Sequence, residues 1–149
     1  MATTRLPHDF KEFLKLLNAH NVEYLLIGGY AVGYHGYPRA TADMDIWIAI
    51  NPANAERIVA ALKEFGFDLP ELSSELFLKE WQIIRLGVPP VRIEIATTIS
   101  GVNFSDCFAE RVVDVLDGVK VNLISLNRLK ANKKASGRHQ DLADLENLP

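Results

Sequence analysis

The chain has 149 residues, 48% of them hydrophobic and 23% charged, and its formal net charge is −3. This length corresponds to about one domain of roughly 150 residues that can bury a core of its own, so we expect a single domain over 1–149. The composition excludes collagen-like, low-complexity and disordered classes. The acidic balance argues against a domain that binds duplex nucleic acid. A lone cysteine, Cys107, cannot form an internal disulfide and indicates a reducing, cytoplasmic setting.

The sequence shows no pattern for membrane insertion or export. Met1 to Pro7 lack the apolar run of a signal peptide, and no apolar run approaches the roughly 20 residues of a membrane span. We therefore expect no contact with a membrane.

The first predicted element is an amphipathic helix near the N-terminus. Asp9, followed three residues later by Glu12, resembles a capping pair at its start. Four apolar residues of this helix fall on one stripe: Phe10, Phe13, Leu14 and Leu17.

Two strands and a short helix are predicted next. The apolar run Tyr24–Ile27 is short enough for a buried strand and is stopped by Gly28 and Gly29. A short helix over Ala31–His35 precedes a loop. Met44–Ile50 then alternates between apolar and other residues, as expected for a strand with one strongly buried side.

The second half of the chain adds further helices and strands, which the sequence predicts from turn residues and from helical or alternating periodicity. They are a helix from Pro52 to Phe65, a loop from Asp68 to Glu75, strands over Trp81–Leu86 and Val91–Ala96 around a turn at Gly87–Pro90, a hairpin of Val112–Leu116 and Val119–Ile124, and helices from Ser125, which is expected to cap the first of them, to Ala135 and from His139 to Leu148. This order predicts a single α/β or α+β domain with a mixed β-sheet and helices packed on it.

The glycine pair Gly28-Gly29 lies where a strand passes into a helix. Such a turn exposes main-chain N–H groups that can approach phosphate oxygens. The known phosphate-binding patterns do not fit, because Tyr34 follows Gly33 where a P-loop needs lysine, and the spacing is not G-x-G-x-x-G. Alone, the pair is equally compatible with a tight structural turn.

Asp43 and Asp45 lie two residues apart on a predicted strand, so both carboxylates project from one face. Like charges placed this way repel unless a cation or water screens them, and Mg²⁺ prefers carboxylate oxygens. The alternative is a solvent-facing polar side of a strand, but Trp47 shares that face and argues against full exposure.

Glu94 is a third candidate acid, on a strand where it alternates with buried residues. If this strand neighbours the first, three carboxylates converge, which is the ligand set for two metal ions in phosphoryl transfer. Glu94 could equally pair with Arg92 or Arg85 at the surface.

Together these motifs resemble those of a known superfamily. They are Gly28-Gly29, the run Arg39-Ala-Thr41-Ala-Asp43-Met-Asp45, and the tail Lys133-Lys-Ala-Ser-Gly137-Arg138-His-Gln-Asp141-Leu-Ala-Asp144-Leu. From about Tyr24 to Leu148 the chain is similar to the nucleotidyltransferases typified by DNA polymerase beta. More closely, it resembles the small bacterial nucleotidyltransferases related to the toxin of AbiE-type toxin–antitoxin systems. The wider superfamily has Gly-Ser for the glycine pair and most often aspartate as third acid, where this chain has Glu94.

The resemblance implies a nucleotidyltransferase fold, an NTP substrate, and Mg²⁺ or Mn²⁺ as cofactor. It assigns roles to eight residues: metal binding and catalysis to Asp43, Asp45 and Glu94, and nucleotide binding to Gly28, Gly29, Arg39, Thr41 and Lys133. Arg39 could instead be a surface arginine, and Thr41 could cap the loop. An antitoxin or a helical protein is the implied partner.

A basic cluster precedes the C-terminus, and a run of this kind is usually a solvated helix face. The cluster comprises Lys130, Lys133, Lys134 and Arg138. We expect Asp141 and Asp144 to pair with these bases and to join the last two helices. The resemblance places Lys133 near the triphosphate.

Three functions remain open from the sequence. The first is a metal-dependent enzyme that transfers NMP from an NTP to a hydroxyl of RNA, of a protein or of a small molecule. The second is a catalytically weak or inactive nucleotide-binding or interaction module on the same fold. The third, an RNA-binding domain that uses the lysine cluster, is disfavoured by the net charge of −3.

Overall fold

A computed structural model describes residues 5–88 and 90–149 as a mixed α/β domain. Within these residues one six-stranded mixed sheet carries helices, as the sequence predicts, and the helices lie on both of its faces. The helices are α1 (His8–Ala19), α2 (Gly28–Tyr34), α3 (Pro52–Phe65), α4 (Phe104–Ala109), α5 (Leu126–Ser136) and α6 (His139–Asn147), with a 3₁₀ helix at Ser74–Leu78. The strands are β1 (Tyr24–Ile27), β2 (Asp43–Ile48), β3 (Ile83–Val88), β4 (Val91–Ala96), β5 (Val112–Leu116) and β6 (Val119–Leu123).

The strand order across the sheet is β3-β4-β2-β1-β6-β5. β2 is antiparallel to β1 and parallel to β4, and β3 and β4 form an antiparallel hairpin on the outer side. β1 is parallel to β6, which pairs with β5 as the predicted hairpin. β2, which carries Asp43 and Asp45, therefore lies in the centre of the sheet, next to β4, which carries Glu94.

Two apolar cores lie on opposite faces of the sheet. The larger holds the predicted stripe of α1 together with the apolar side of α3 and the residues Met44, Ile46 and Ile48 of β2. The smaller holds Trp47 and Cys107, with parts of α2 and α5. Trp47 thus covers the end of the face from which Asp43 and Asp45 project, as expected from their shared face. Ile50, predicted as the end of the strand, lies beyond it and is exposed.

Several predicted boundaries were wrong, chiefly where tertiary contacts override local signals. The first helix begins after Pro7 with no side-chain cap, so Asp9 and Glu12 are not a capping pair. The second helix begins at Gly28 rather than Ala31, and Ser125 stands at the start of α5 without a capping bond from its side chain.

Other errors lie between α3 and the last hairpin. The predicted loop at Asp68–Glu75 runs into the 3₁₀ helix, and helix α4 was not predicted. The β3 strand is shifted by two residues, to Ile83–Val88, so the turn is shorter than Gly87–Pro90. Pro89 lies outside the described residues. Among those that are described, no helix is both long enough and apolar enough to cross a membrane.

Candidate active site

One cavity brings together all eight residues that the sequence assigns to the site. It has a volume of about 710 Å³ and is lined by residues of β2, β3 and β4, of the loop after β4, and of α5 and α6. The eight are Gly28, Gly29, Arg39, Thr41, Asp43, Asp45, Glu94 and Lys133. Residues separated by up to about a hundred positions therefore share one chamber.

The glycine pair is required by close packing as well as by its turn. Gly28 has a φ of +68°, and a Cβ there would lie 2.0 Å from Oδ2 of Asp45. A Cβ on Gly29 would lie 2.7 Å from Oγ1 of Thr41. The carboxylate of Asp45 and the hydroxyl of Thr41 thus rest directly against the main chain of the turn, where no side chain fits.

Carboxylates of two adjacent strands meet beside this turn. In the parallel pair of β2 and β4, Asp45 lies opposite Glu94 and Asp43 lies opposite Arg92. Glu94 in turn lies opposite Arg85 of β3. The three acids are held on one sheet face by strand register alone, because residues two apart on a strand point the same way.

The environment of Asp45 opposes a further negative charge. Burial, followed by a hydrogen bond with Glu94 and the charges of Glu94 and Asp43, raises the pKa of Asp45 to about 8, against a smaller lowering by Lys133. Two adjacent carboxylates that are partly withdrawn from solvent cannot both ionise without a free-energy cost. The cluster therefore favours an added positive charge, either a proton or a metal cation.

The other two acids, Asp43 and Glu94, form hydrogen-bonded ion pairs with arginines. Arg92 donates to both oxygens of Asp43, at 2.9 and 2.8 Å. Arg85 donates to Glu94 at 2.7 Å, which is the surface pairing left open by the sequence, while Arg92 lies 4.0 Å from Glu94. Within residues 5–88 and 90–149 no three His, Cys, Asp or Glu side chains stand arranged around a point where a metal ion could sit. An ion would have to share or displace these guanidinium contacts.

Arg39 and Lys133 belong to a buried ion-pair network. Arg39 donates to Asp144 through two nitrogens at 2.8 and 2.9 Å, and the Asp144 side chain is fully buried. Lys133 Nζ lies 3.2 Å from Asp141 and 3.1 Å from Asp144. The pairing expected for the two aspartates is confirmed. Lys133 is not part of a solvated helix face, whereas its neighbour Lys134 is exposed.

The network holds Asp141 strongly ionised. Burial acts against its charge, but hydrogen bonds from Arg138, Ser136 and Lys133 outweigh burial and lower the pKa of Asp141 to about 2. Arg138 also closes the start of α6 through this carboxylate, which accepts from the Arg138 backbone N–H. The basic groups near the cavity are thus fixed in place by two buried acids.

Sequence reasoning missed part of the cavity wall. These residues are Trp81, Ile83, Thr98, Ile99, Ser100, Asn132, Ala135, Ser136 and Gln140. They come from the start of the edge strand and the turn before it, from the loop after β4 and from the last two helices, and no local pattern marks them. The bond from Arg92 to Asp43 was also missed, although its position two residues before Glu94 placed it on the same face.

This architecture defines a class of protein, the nucleotidyltransferase fold. Its features here are a mixed sheet, a glycine turn at the end of one strand, two acids two residues apart on the next strand and a third acid on a neighbouring strand. The chain belongs to a family described as "Nucleotidyltransferase of unknown function (DUF6036)", whose model matches residues 5–148. The family supports a transferase of the general nucleotidyltransferase type. No curated protein matches the chain.

Solved structures show the same fold at low sequence identity. A protein of Thermotoga maritima, provisionally assigned as a nucleotidyltransferase, has a TM-score of 0.58 and 15% identity, with 92% of this chain and 88% of that chain covered. An antigenic nucleotidyltransferase-like protein of Paracoccidioides brasiliensis has a TM-score of 0.54 and 17% identity, with 93% of this chain and 72% of that chain covered. At such identities the likeness concerns the fold.

Proposed function

We propose that the protein is a divalent-cation-dependent nucleotidyltransferase. It transfers NMP from an NTP to an acceptor hydroxyl: the hydroxyl oxygen bonds to the α-phosphorus, the bond from that phosphorus to the bridging oxygen breaks, and pyrophosphate leaves with the electron pair. The hydroxyl proton passes to water. The observation that carries the proposal is the contact between Asp45 and Glu94, beside a turn from which side chains are excluded.

The acid cluster suits Mg²⁺ or Mn²⁺ in its donor chemistry. Asp43, Asp45 and Glu94 would supply hard oxygen ligands, and the burial and neighbouring carboxylates that raise the pKa of Asp45 would also favour a cation there. Each carboxylate has about four lone-pair sites, so Asp43 can keep its contacts with Arg92 and still bind an ion. When bound, the ion would neutralise phosphate charge during the transfer.

The remaining cavity residues bind and orient the nucleotide in this proposal. The main chain of Gly28 and Gly29 approaches the terminal phosphates, and Thr41 lies against the same turn. Arg39 and Lys133 supply positive charge from positions that Asp144 fixes. Positioning and charge stabilisation are the principal contributions a protein makes to phosphoryl transfer.

Incorporation of label from α-³²P NTPs tests the proposal. Asp45→Asn is the decisive variant, because burial raises the pKa of Asp45 and a neutral amide of the same shape should leave stability intact. We expect at least a 100-fold loss of labelling with an unchanged melting temperature. Asp9→Asn, an exposed acid-to-amide change on α1, is the matched control and should label like wild type. Equal labelling by Asp45→Asn and wild type would contradict the proposal.

A second candidate is a nucleotide-binding module without turnover. The guanidinium contacts that close Asp43 and Glu94 favour it, because they satisfy these acids without a metal ion. Calorimetry separates the candidates: NTP binding that persists without Mg²⁺ and yields no product supports the module.

We further propose that the transferase acts as the toxin of a toxin–antitoxin pair. The support is the resemblance of the motifs from Gly28 to Asp144 to those of AbiE-type toxins. The expected partner is an antitoxin or a helical protein. Growth arrest on expression of wild type but not of Asp45→Asn would support this role, and equal growth of the two strains would contradict it.

A further inference from the structure

Two exposed apolar side chains, Trp81 and Ile83, form a surface at the β3 end of the cavity that we call the apolar shelf. Trp81 is 63% exposed and Ile83 is 55% exposed, and both line the same chamber as the acids. Large apolar side chains that remain exposed inside a cavity mark a contact surface for a ligand or partner.

The main chain at Trp81 is held in an unusual conformation. Its φ is +59°, in the left-handed region that bulky residues rarely adopt. Its backbone N–H donates to Oγ1 of Thr98 at 3.0 Å, and Thr98 also lines the cavity. A conformation of this kind is energetically costly and persists only where neighbouring contacts determine it. The indole is therefore presented from a defined backbone position.

The order of the strands across the sheet indicates which reactant lies over the shelf, the leaving pyrophosphate or the attacking acceptor. The glycine turn follows β1, the paired aspartates lie on β2, Glu94 lies on β4, and the shelf comprises Ile83, the first residue of β3, and Trp81, two residues before it. In an in-line displacement the attacking and leaving oxygens lie on opposite sides of the phosphorus. With pyrophosphate leaving on the glycine side, the acceptor approaches over β3. This step rests on the proposed function.

We propose that Trp81 and Ile83 form the acceptor subsite, and that the acceptor is the end of a single-stranded nucleic acid whose terminal base stacks on the indole. Arg85, two residues after Ile83 on β3 and opposite Glu94, carries a half-exposed guanidinium that can meet a backbone phosphate. An aromatic platform beside a cation matches a nucleotide, which has a planar face and a negative charge.

Direct binding tests the subsite without any transfer. The probe is a 5′-fluorescein single-stranded RNA octamer with a free 3′-hydroxyl, titrated with protein and Mg²⁺ by anisotropy in the absence of NTP. Because stacking on one base contributes about 1–3 kcal/mol, Trp81→Ala should raise the Kd by about 5- to 150-fold. Trp81→Phe should keep most of the affinity. Val115→Ala removes an equally exposed side chain, 63%, from β5 and should bind like wild type.

Two results would overturn the subsite. One is an octamer affinity that Trp81→Ala leaves unchanged, and the other is no binding of the octamer by wild type. A DNA octamer of the same sequence measures the contribution of the 2′-hydroxyl, and its affinity should show the same dependence on Trp81.

Transfer kinetics separate this subsite from the proposed function. Trp81→Ala should raise the KM for the oligonucleotide and leave the KM for NTP unchanged, whereas a rise in the KM for NTP alone would place the indole on the wrong side and overturn the subsite. Octamer binding that depends on Trp81 with no transfer by wild type contradicts only the proposed function. Transfer to a protein hydroxyl that is insensitive to Trp81→Ala contradicts only the subsite.

Discussion

The carboxylate of Asp45 occupies the space that a side chain at Gly28 would need, since a Cβ on Gly28 would lie 2.0 Å from Asp45 Oδ2. Two features of the sequence that looked separate, a glycine pair and an aspartate pair, are thus one packed unit. The contact joins the end of β1 to β2, which pair in antiparallel register with Ile27 opposite Asp45.

Gly28→Ala should therefore destabilise the protein by more than its backbone conformation alone explains. Forcing a methyl group against a carboxylate costs about 1–3 kcal/mol, and adopting a positive φ costs about 1 kcal/mol more. Gly118→Ala is the matched control, because Gly118 also has a positive φ, +81°, with nothing within 4 Å of an added Cβ. Urea unfolding of both variants isolates the contact, and equal losses of stability would contradict it.

Arg92 supplies positive charge to an acid cluster that is short of it. Arg92→Gln should lower the melting temperature without metal by a few degrees and increase the stabilisation by added Mg²⁺, because a cation can then replace the lost guanidinium at Asp43. Arg128→Gln is the control. Arg128 pairs with Glu110 away from the cavity, and its side chain is 34% exposed, as is that of Arg92. Thermal unfolding over a Mg²⁺ series gives the comparison, and an equal Mg²⁺ response in Arg92→Gln and wild type would be evidence against a cation at this site.

Low pH should weaken the ion pairs that join α5 to α6, in which Lys133 contacts Asp141 and Asp144. The pKa of Asp141 is about 2 in the folded chain, below its ordinary value of 3.8, so the ionised form contributes stability that is complete above about pH 4 and is lost as the pH falls toward 2.

Asp141→Asn tests this pH dependence. At pH 7 the variant should be less stable than wild type, because Lys133 loses one of its two carboxylate partners. Toward pH 2 the gap should narrow as wild-type Asp141 becomes protonated. Glu146→Gln, an exposed change on the same helix, controls for general charge effects. A gap that is constant from pH 7 to pH 2 would contradict the expectation.

Cys107 should be protected from thiol reagents until the chain opens. It is fully buried in the smaller core, and burial raises the pKa of its thiol to about 11. Because only the thiolate is reactive, labelling by a disulfide reagent at pH 8 should be at least 100-fold slower than in urea-unfolded chain. The chain has one cysteine, so a single-exponential reaction reports directly on opening of the α4 region. Labelling as fast as that of a free thiol would show that this core is open.

The residues of the site that sequence could identify are those whose roles are expressed in local spacing. Alternation over β2 placed Asp43 and Asp45 on one face, and Trp47 on the same face indicated partial burial. The glycine pair marked the end of a strand, although the clashes that require glycine there involve side chains 12 and 17 positions further along the chain. Helix α4 and the 3₁₀ helix escaped prediction because they are short and have little periodicity.

The sequence by itself determined the apolar stripes and strands, the superfamily resemblance and the set of residues that could form a site. Only the tertiary structure decided their partners. The bond from Arg39 to Asp144 spans 105 positions, that from Arg92 to Asp43 spans 49, and both depend on which elements become neighbours. Charge pairing acts over a few ångströms, and spacing along the chain does not specify such distances between separate elements. The position of Trp81 beside the acids is decided in the same way, by the bond from its N–H to Thr98, 17 positions further along the chain.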